Sequence, residues 1–391
     1  MTRRASIPVS GEGRRREPAR PQARSALISG QPDYAFHERW RILAHALVAA
    51  CTVAHAILIA LVYHGSNPGS GRAMAGPPGG AHSHNGPITA WLTVSSAAVA
   101  GANGLTLHFA ALAASAGVLL CGYVLARRLF SPLTGLLVVA ILSAAHITDL
   151  VPAASVPGVI SVFWWSIGTV WLERALFAER RRERDRAWVY VSAAICLGVL
   201  FSWTTLLLAP CAMLFLSTSK SHRAWLRRPR FYLAALVIPG ICAAAFHRAP
   251  AGGPVPITDA LSQAATPTAV KALAALGRLA TLQAQLVGPV LLVGALAAAA
   301  RGLAIGGLTA GGQRAQFLVC MGLPILAAGC VMSVVTPGAP MWPECGWLTL
   351  CILWAGWLTV WAGRSSGSAI CAYSCACLAA VAGLTAPALA H

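Results

Sequence analysis

Long apolar runs separated by short polar segments dominate the hydrophobic pattern of this chain. Many runs approach or exceed the ~18–20 residues that a helix needs to cross a bilayer. Because backbone polar groups in lipid must be satisfied within the segment, each run predicts a helix. The predicted spans are 41–63, 104–126, 131–150, 156–177, 187–202, 203–218, 231–247, 281–300, 315–336, 346–363 and 368–388. The pattern therefore predicts an all-α, polytopic integral membrane protein with about eleven transmembrane helices.

Three longer polar stretches interrupt this pattern. Residues 1–36 are rich in Arg, Pro, Ser and Gly, which predicts a disordered basic tail and leaves 37–391 as the membrane domain. The other two stretches, about 64–103 and 248–280, are predicted exterior loops. Apolar residues lie among polar ones late in the first loop and over Ala260–Leu279 in the second. Both patterns predict a short interfacial helix.

Charge sets the predicted orientation. The chain is 57% hydrophobic and 10% charged, whereas a soluble domain carries about 25% charged residues. With the N-terminus in the cytoplasm, all but four of the 29 Lys and Arg residues fall on the cytoplasmic side. The four exterior ones are Arg72, Arg248, Lys271 and Arg278. The positive-inside rule therefore predicts a multi-pass protein of the inner (cytoplasmic) membrane, and not a nucleic-acid-binding protein.

Acidic residues are scarce on the predicted exterior face. Only Asp149, Asp259 and Glu344 lie there, and Glu344 is expected to be a surface residue beside Trp342. No acidic or basic residue lies at the centre of a predicted span, which disfavours an ion-coupled transporter. The twelve cysteines lie mostly within apolar runs, where they suit packing. No metal site and no cofactor is predicted.

Five stretches, taken in order, resemble the GT-C superfamily of membrane glycosyltransferases, specifically the bacterial relatives of protein O-mannosyltransferases and aminoarabinose transferases. The similarity covers about 40–362, most of the chain. The stretches are HNGPITAWL (84–92), LARRLFSPLTGLLVVAIL (125–142), VFWWSIGTVWLERAL (162–176), GVLFSWTTLLLAP (198–210) and MWPECGWLTL (341–350). The resemblance implies a GT-C-like fold with an outward-facing cavity under the first exterior loop.

The resemblance also implies a chemistry. Members of the superfamily take a sugar from a polyprenyl phosphate or diphosphate and pass it to an envelope glycan, lipid or protein acceptor. An acidic residue in the first exterior loop activates or positions the acceptor, as a hydroxyl nucleophile requires. Basic side chains near the membrane face hold the lipid phosphate and stabilise charge on the departing group.

The chain departs from the pattern of the superfamily at three functional positions. The first exterior loop, 64–103, contains no Asp or Glu, and Asn67 is the best polar residue near the expected acidic position. Asn can anchor a hydroxyl but cannot act as a base at neutral pH. A second acidic position, just before the fourth helix, falls on Gly158. A lysine common in the hairpin between the fifth and sixth helices falls on Trp203.

Other residues offer substitutes for these groups. Asp149 and His84 are candidate catalytic residues together with Asn67, since a carboxylate or a neutral histidine can act as a base near pH 7. Candidate ligands of the sugar or of the lipid phosphate are Arg72, His82, Asn85, Arg248, Lys271 and Arg278. Solvated loop positions and lipid headgroup contacts are the structural alternatives for these side chains.

Three functional hypotheses stand at this point. The first is a glycosyltransferase homologue that uses a polyprenyl-phosphate-linked sugar on the exterior face, with its ordinary catalytic carboxylates apparently missing. The second is a pseudoenzyme: a non-catalytic lipid- or glycan-binding protein, or a subunit of a larger membrane complex. The third is a transporter. The sugar, the acceptor and the survival of catalysis are open.

Overall fold

The computed structural model of the chain describes residues 105–144, 156–247, 269–305, 310–335 and 344–362, together with 42, 46–50 and 52–53. All of them lie within one compact unit, Trp40–His391. The main helices are α1 (Leu105–Leu129), α2 (Pro132–Ala144), α3 (Val156–Phe177), α4 (Arg181–Phe201), α5 (Leu208–Thr218), α6 (Pro229–Tyr232, Leu233–Val237 and Ile238–His247 in succession), α7 (Ala269–Val287), α8 (Pro289–Ile305), α9 (Ala310–Val335) and α10 (Glu344–Ala362).

Helix positions follow the apolar runs closely in the described part of the chain. Helix α3 has the bounds predicted for the fourth span. The tight hairpin predicted after 187–202 is present, because Ser202 leaves the helical region and a 3₁₀ turn, Trp203–Leu207, leads into α5. The Ser202 side chain caps that turn by accepting a hydrogen bond from the Thr204 amide. The predicted basic tail and the last predicted span, 368–388, lie outside the described residues.

One predicted span is wrong in its form. Instead of a single helix over 281–300, the chain makes α7 and α8, which meet at Gly288. Gly288 has a φ of 87°, a conformation that favours glycine, and Pro289 opens the next helix. Helix α7 also overlaps the interfacial helix predicted over 260–279 and extends beyond it.

Membrane-spanning character is clearest in two helices of the described region. Ala110–Leu129 and Gly312–Val331 are long and apolar enough to cross a bilayer, and four shorter apolar helices accompany them. The coarser prediction, an all-helical protein with apolar helices, is therefore confirmed, but the count of eleven spans is not.

A single large apolar core joins most of these helices. Helix α3 packs between α1 and α4, while α10 packs against α2, α8 and α9. The largest side chains with almost no exposed surface include Trp165 on α3 and Trp347 on α10. Helices α3 and α10 also contact each other directly.

Arginine side chains gather at the end of the bundle where α1 ends and α9 begins, the predicted cytoplasmic side. Arg128 Nε donates to Glu173 Oε2 at 2.7 Å, and Arg314 Nη1 donates to the Leu129 carbonyl at 2.9 Å. Glu173 is only 4% exposed, so its charge is satisfied by this ion pair. We call Arg128, Glu173 and Arg314 the arginine end.

Candidate functional site

The first turn of α10 is the point where three other elements of the bundle meet at the opposite end. Glu344 lies against α3, Cys345 against the 3₁₀ turn after α4, and Trp347 against α7. We call these contacts, with Gly158, Thr204 and Gln283 as the facing residues, the entry cluster.

Gly158 and Glu344 form the closest of these contacts. A Cβ atom on residue 158 would lie 3.0 Å from both Cδ and Oε1 of Glu344, and it would clash with Oε2. Gly158 does not have the positive φ that requires glycine, which among the described glycines only Gly288 shows. A helical glycine costs about 1 kcal/mol relative to alanine. The absent side chain of Gly158 is therefore explained by the room that it leaves for the Glu344 carboxylate.

Glu344 itself is partly buried and carries no hydrogen bond or ion pair to any residue that the structure describes. The expectation that Glu344 is a surface residue is therefore wrong. The error has a physical reason. A carboxylate at the start of a helix ordinarily faces solvent, but here the missing side chain of Gly158 opens a place for it between α3 and α10.

The 3₁₀ turn brings hydroxyl groups to the same place. The Thr204 hydroxyl lies beside the Cys345 thiol and 2.8 Å from the Ser202 hydroxyl. Thr205 Oγ1 donates to the Ser202 carbonyl at 2.6 Å, which ties the turn together. The lysine position of the superfamily, Trp203, is part of this turn. Two of the three departures from the pattern thus lie beside the first turn of α10.

Gln283 adds a buried amide. The Trp347 indole N–H donates to Gln283 Oε1, whereas Gln283 Nε2 has no hydrogen-bond partner in the described part of the chain. The Gln283 residue is 5% exposed. An unpaired buried N–H group costs about 1–3 kcal/mol, so this amide is suited to a ligand that supplies an acceptor.

Most of the candidate residues predicted from the sequence belong to parts of the chain that the structure does not describe. Seven of them lie outside the described residues: Asn67, Arg72, His82, His84, Asn85, Asp149 and Arg248. Lys271 and Arg278 lie in α7, and the Arg278 side chain is exposed. Their convergence on one cavity stays a prediction. No group of three metal-ligating side chains occurs within the described ranges.

Sequence reasoning missed Glu344 and Gln283 as candidates. Glu344 stands in the stretch MWPECGWLTL that carries the resemblance, and it is one of few exterior acids. That scarcity, together with the empty position at Gly158, was the available signal. Nothing in the pattern around Gln283 distinguishes it from other polar residues of an amphipathic helix.

Comparison with known proteins agrees with the resemblance. Residues 83–246 match the family described as dolichyl-phosphate-mannose-protein mannosyltransferase. Among solved structures, the oligosaccharyltransferase of Archaeoglobus fulgidus in its apo form matches with a TM-score of 0.49 and 11% identity, over 90% of this chain and 55% of that one. The chain thus spans about half the length of that protein. No curated protein matches.

The family match confirms the predicted resemblance to GT-C membrane glycosyltransferases over residues 83–246. These residues include, in full, four of the five stretches on which the resemblance was based, from HNGPITAWL to GVLFSWTTLLLAP.

Proposed function

We propose that the protein transfers a sugar from a polyprenyl phosphate carrier to an acceptor on the exterior face of the membrane. The observation that carries this proposal is the family match over 83–246, which contains Gly158, Trp203 and the candidate bases His84 and Asp149. The name of that family specifies a lipid-phosphate sugar donor and the transfer of mannose. The identity of the sugar is not part of the proposal.

In the proposed reaction, the acceptor oxygen forms a bond to the anomeric carbon as the bond from that carbon to the phosphate oxygen breaks. The bonding electrons leave with the lipid phosphate, and the acceptor proton passes to a base. Asp149 or His84 takes that proton, and Asn67 anchors the acceptor hydroxyl. The proposed phosphate ligands are Arg72, Arg248, Lys271 and Arg278, with His82 and Asn85 beside the sugar.

The test is transfer by the purified full-length chain from polyprenyl-phosphate sugars to envelope acceptors. We expect transfer by the native chain and its loss in Asp149→Asn or His84→Ala. Asp259→Asn is the matched control, because Asp259 directly precedes the interfacial helix predicted over 260–279, where an acid suits the helix N-terminus, and its change should keep full activity. Robust transfer that is insensitive to both changes would overturn the assignment of these residues, and no transfer with any donor would overturn the function.

A second function is favoured by one specific observation, the absence of Asp and Glu from 64–103. The fold would then bind a lipid-linked sugar, or a partner subunit, without catalysis. Native mass spectrometry of the detergent-extracted protein distinguishes the two. A retained polyprenyl lipid or partner without turnover supports this function, and a monomer with neither counts against it.

A further inference from the structure

Two carboxylate positions, one lost and one gained, coincide in the entry cluster. The resemblance places an acidic residue of the superfamily at Gly158, where this chain has no side chain at all. The structure places the Glu344 carboxylate against that same glycine, close enough that a Cβ atom there would meet Cδ and Oε1 at 3.0 Å. A carboxyl group is therefore present at this end of α3, but it comes from α10.

We propose that Glu344, reaching from α10 into the space left by Gly158, binds a hydroxyl group of the lipid-linked sugar. This proposal rests on the proposed function for the class of its ligand. It assigns to Glu344 a role as a substrate-binding residue and does not require it to be the base.

The lack of a described partner separates Glu344 from a structural carboxylate. Partly buried carboxylates need hydrogen-bond donors or a counter-charge, because taking a charge out of water is costly. No residue that the structure describes provides one to Glu344. An acid in the first turn of a helix is ordinarily stabilised by the helix dipole while its side chain faces solvent. Such a side chain does not need an empty position on a neighbouring helix, as Glu344 does.

Gln283 supplies the complementary group. Residues 344 and 347 are three apart on α10, and the Trp347 indole N–H donates to Gln283 Oε1, so Gln283 is held from the same first turn that carries Glu344. Its Nε2 is a buried donor without a described partner. A hydroxyl group can donate one hydrogen bond and accept others, so it can satisfy a carboxylate and an amide N–H together. The vicinal hydroxyls of a sugar match this pair.

The experiment measures how much the sugar contributes to binding. The full-length protein in nanodiscs is titrated with a short-chain polyprenyl phosphate and with the same lipid carrying a hexose or a pentose. The ratio of the two dissociation constants is the sugar-dependent gain. We expect Glu344→Ala to reduce this gain about tenfold and Glu344→Gln to reduce it less, as expected for loss of a charge-assisted hydrogen bond.

The decisive variant moves the carboxyl group from α10 to α3. Gly158→Asp combined with Glu344→Ala should restore most of the gain, because the alanine vacates the space that the aspartate needs. Gly158→Asn combined with Glu344→Ala is the matched control, with the same shape and no charge, and it should restore clearly less of the gain than the aspartate. Thermal melting of each variant shows whether it is folded. Should the alanine variants fail to fold, Glu344→Gln alone decides.

An unchanged sugar-dependent gain in folded Glu344→Ala would overturn the proposal; where only Glu344→Gln folds, an unchanged gain in that variant would do so. Equal restoration of the gain by Gly158→Asp and by Gly158→Asn would also overturn it, as would no restoration by either in folded protein. The same holds if the native chain shows no sugar-dependent gain with either sugar. These failures are distinguishable from failure of the proposed function. Sugar-dependent binding through Glu344 without any transfer would exclude the proposed transferase function and keep the binding role of Glu344. Transfer that does not change in the Glu344 variants would keep the transferase function and exclude the binding role.

Discussion

The two ends of α3 treat a carboxylate in opposite ways. At the arginine end, Glu173 is 4% exposed and bonded to Arg128 at 2.7 Å. About 22 Å away along the helix, from the 1.5 Å rise per residue, Gly158 makes room for Glu344, which has no ion pair among the described residues. A paired carboxylate has its charge satisfied by the fold. An unpaired one in the same bundle is available to a ligand, and this difference is why we assign stability to one end and binding to the other.

The largest expected effect tests the paired end. Arg128→Ala should lower the free energy of unfolding by about 3 kcal/mol, since it leaves the buried Glu173 without its hydrogen-bonded ion-pair partner. This value is at the low end for a buried pair because a third of the Arg128 side chain, 33%, is exposed. The measurement is unfolding of the detergent-solubilised protein, followed by heat or denaturant.

Arg127→Ala is the matched control for Arg128→Ala. Arg127 is the neighbouring arginine on α1, and it makes no described ion pair. We expect its removal to change the unfolding free energy by less than about 0.5 kcal/mol. Adding Glu173→Gln to Arg128→Ala should recover part of the loss. Equal losses for the two arginine variants would remove the contrast between the ends.

The next effect concerns how α10 is held. A Cβ atom on Gly346 would lie 2.8 Å from the Gly322 carbonyl oxygen of α9, and a backbone atom cannot move aside without shifting its helix. Gly346→Ala should therefore cost about 2 kcal/mol of unfolding free energy through overpacking. It should also reduce the sugar-dependent gain, because the first turn of α10 carries Glu344, while the distant Arg128–Glu173 pair is left intact.

Gly277→Ala on α7 is the control for this prediction. No heavy atom lies within 4 Å of the position that its Cβ would take. Alanine in an open helical position stabilises by about 0.5–1 kcal/mol. If Gly346→Ala were as harmless as Gly277→Ala, the close approach of α9 and α10 would not be what positions Glu344.

The outline of the fold could be predicted from the sequence, because helix formation in an apolar run is a local property. Helix α3 and the hairpin at Ser202 follow from apolar length and from a polar break. The break at Gly288 was missed, since the apolar run continues through it and only the Gly-Pro pair marks the change.

The entry cluster could not be predicted in the same way. Its central contact joins Gly158 and Glu344, which are far apart in the chain and meet only because α3 and α10 pack together. A glycine has no side chain, and nothing in the neighbouring sequence indicates which distant side chain fills the space beside it. The empty position was recognised from the resemblance, but the residue that fills it required the packing of the helices.

A smaller effect on stability, with a large one on binding, distinguishes the Glu344 end. In Gly158→Ala the new Cβ meets the carboxylate, which is the end of a flexible side chain and can turn away. The gain of about 1 kcal/mol from alanine in a helix offsets most of the cost, so we expect a net stability change below about 1 kcal/mol. The sugar-dependent gain should nevertheless fall about tenfold, because Glu344 leaves its place.

Gly240→Ala provides the comparison for Gly158→Ala. Its Cβ would meet nothing within 4 Å, so both stability and the sugar-dependent gain should be kept or improved. A normal gain in Gly158→Ala, with Glu344 still required, would mean that the carboxylate binds its ligand from another position.

The smallest expected effect on the free energy of unfolding tests whether burial or ion pairing causes the difference between the two ends of α3. Arg230 Nη1 lies 3.1 Å from Asp185 Oδ1, but the two side chains are 62% and 43% exposed. Water and salt screen such a pair, so Asp185→Asn should cost about 0.5 kcal/mol or less, and less still at high salt. A double-mutant cycle with Arg230→Gln, measured by unfolding at two salt concentrations, gives the coupling directly. A coupling as large as that of Arg128 and Glu173 would show that pairing alone, without burial, stabilises the arginine end, and the isolation of Glu344 would then be the feature that still distinguishes the other end of α3.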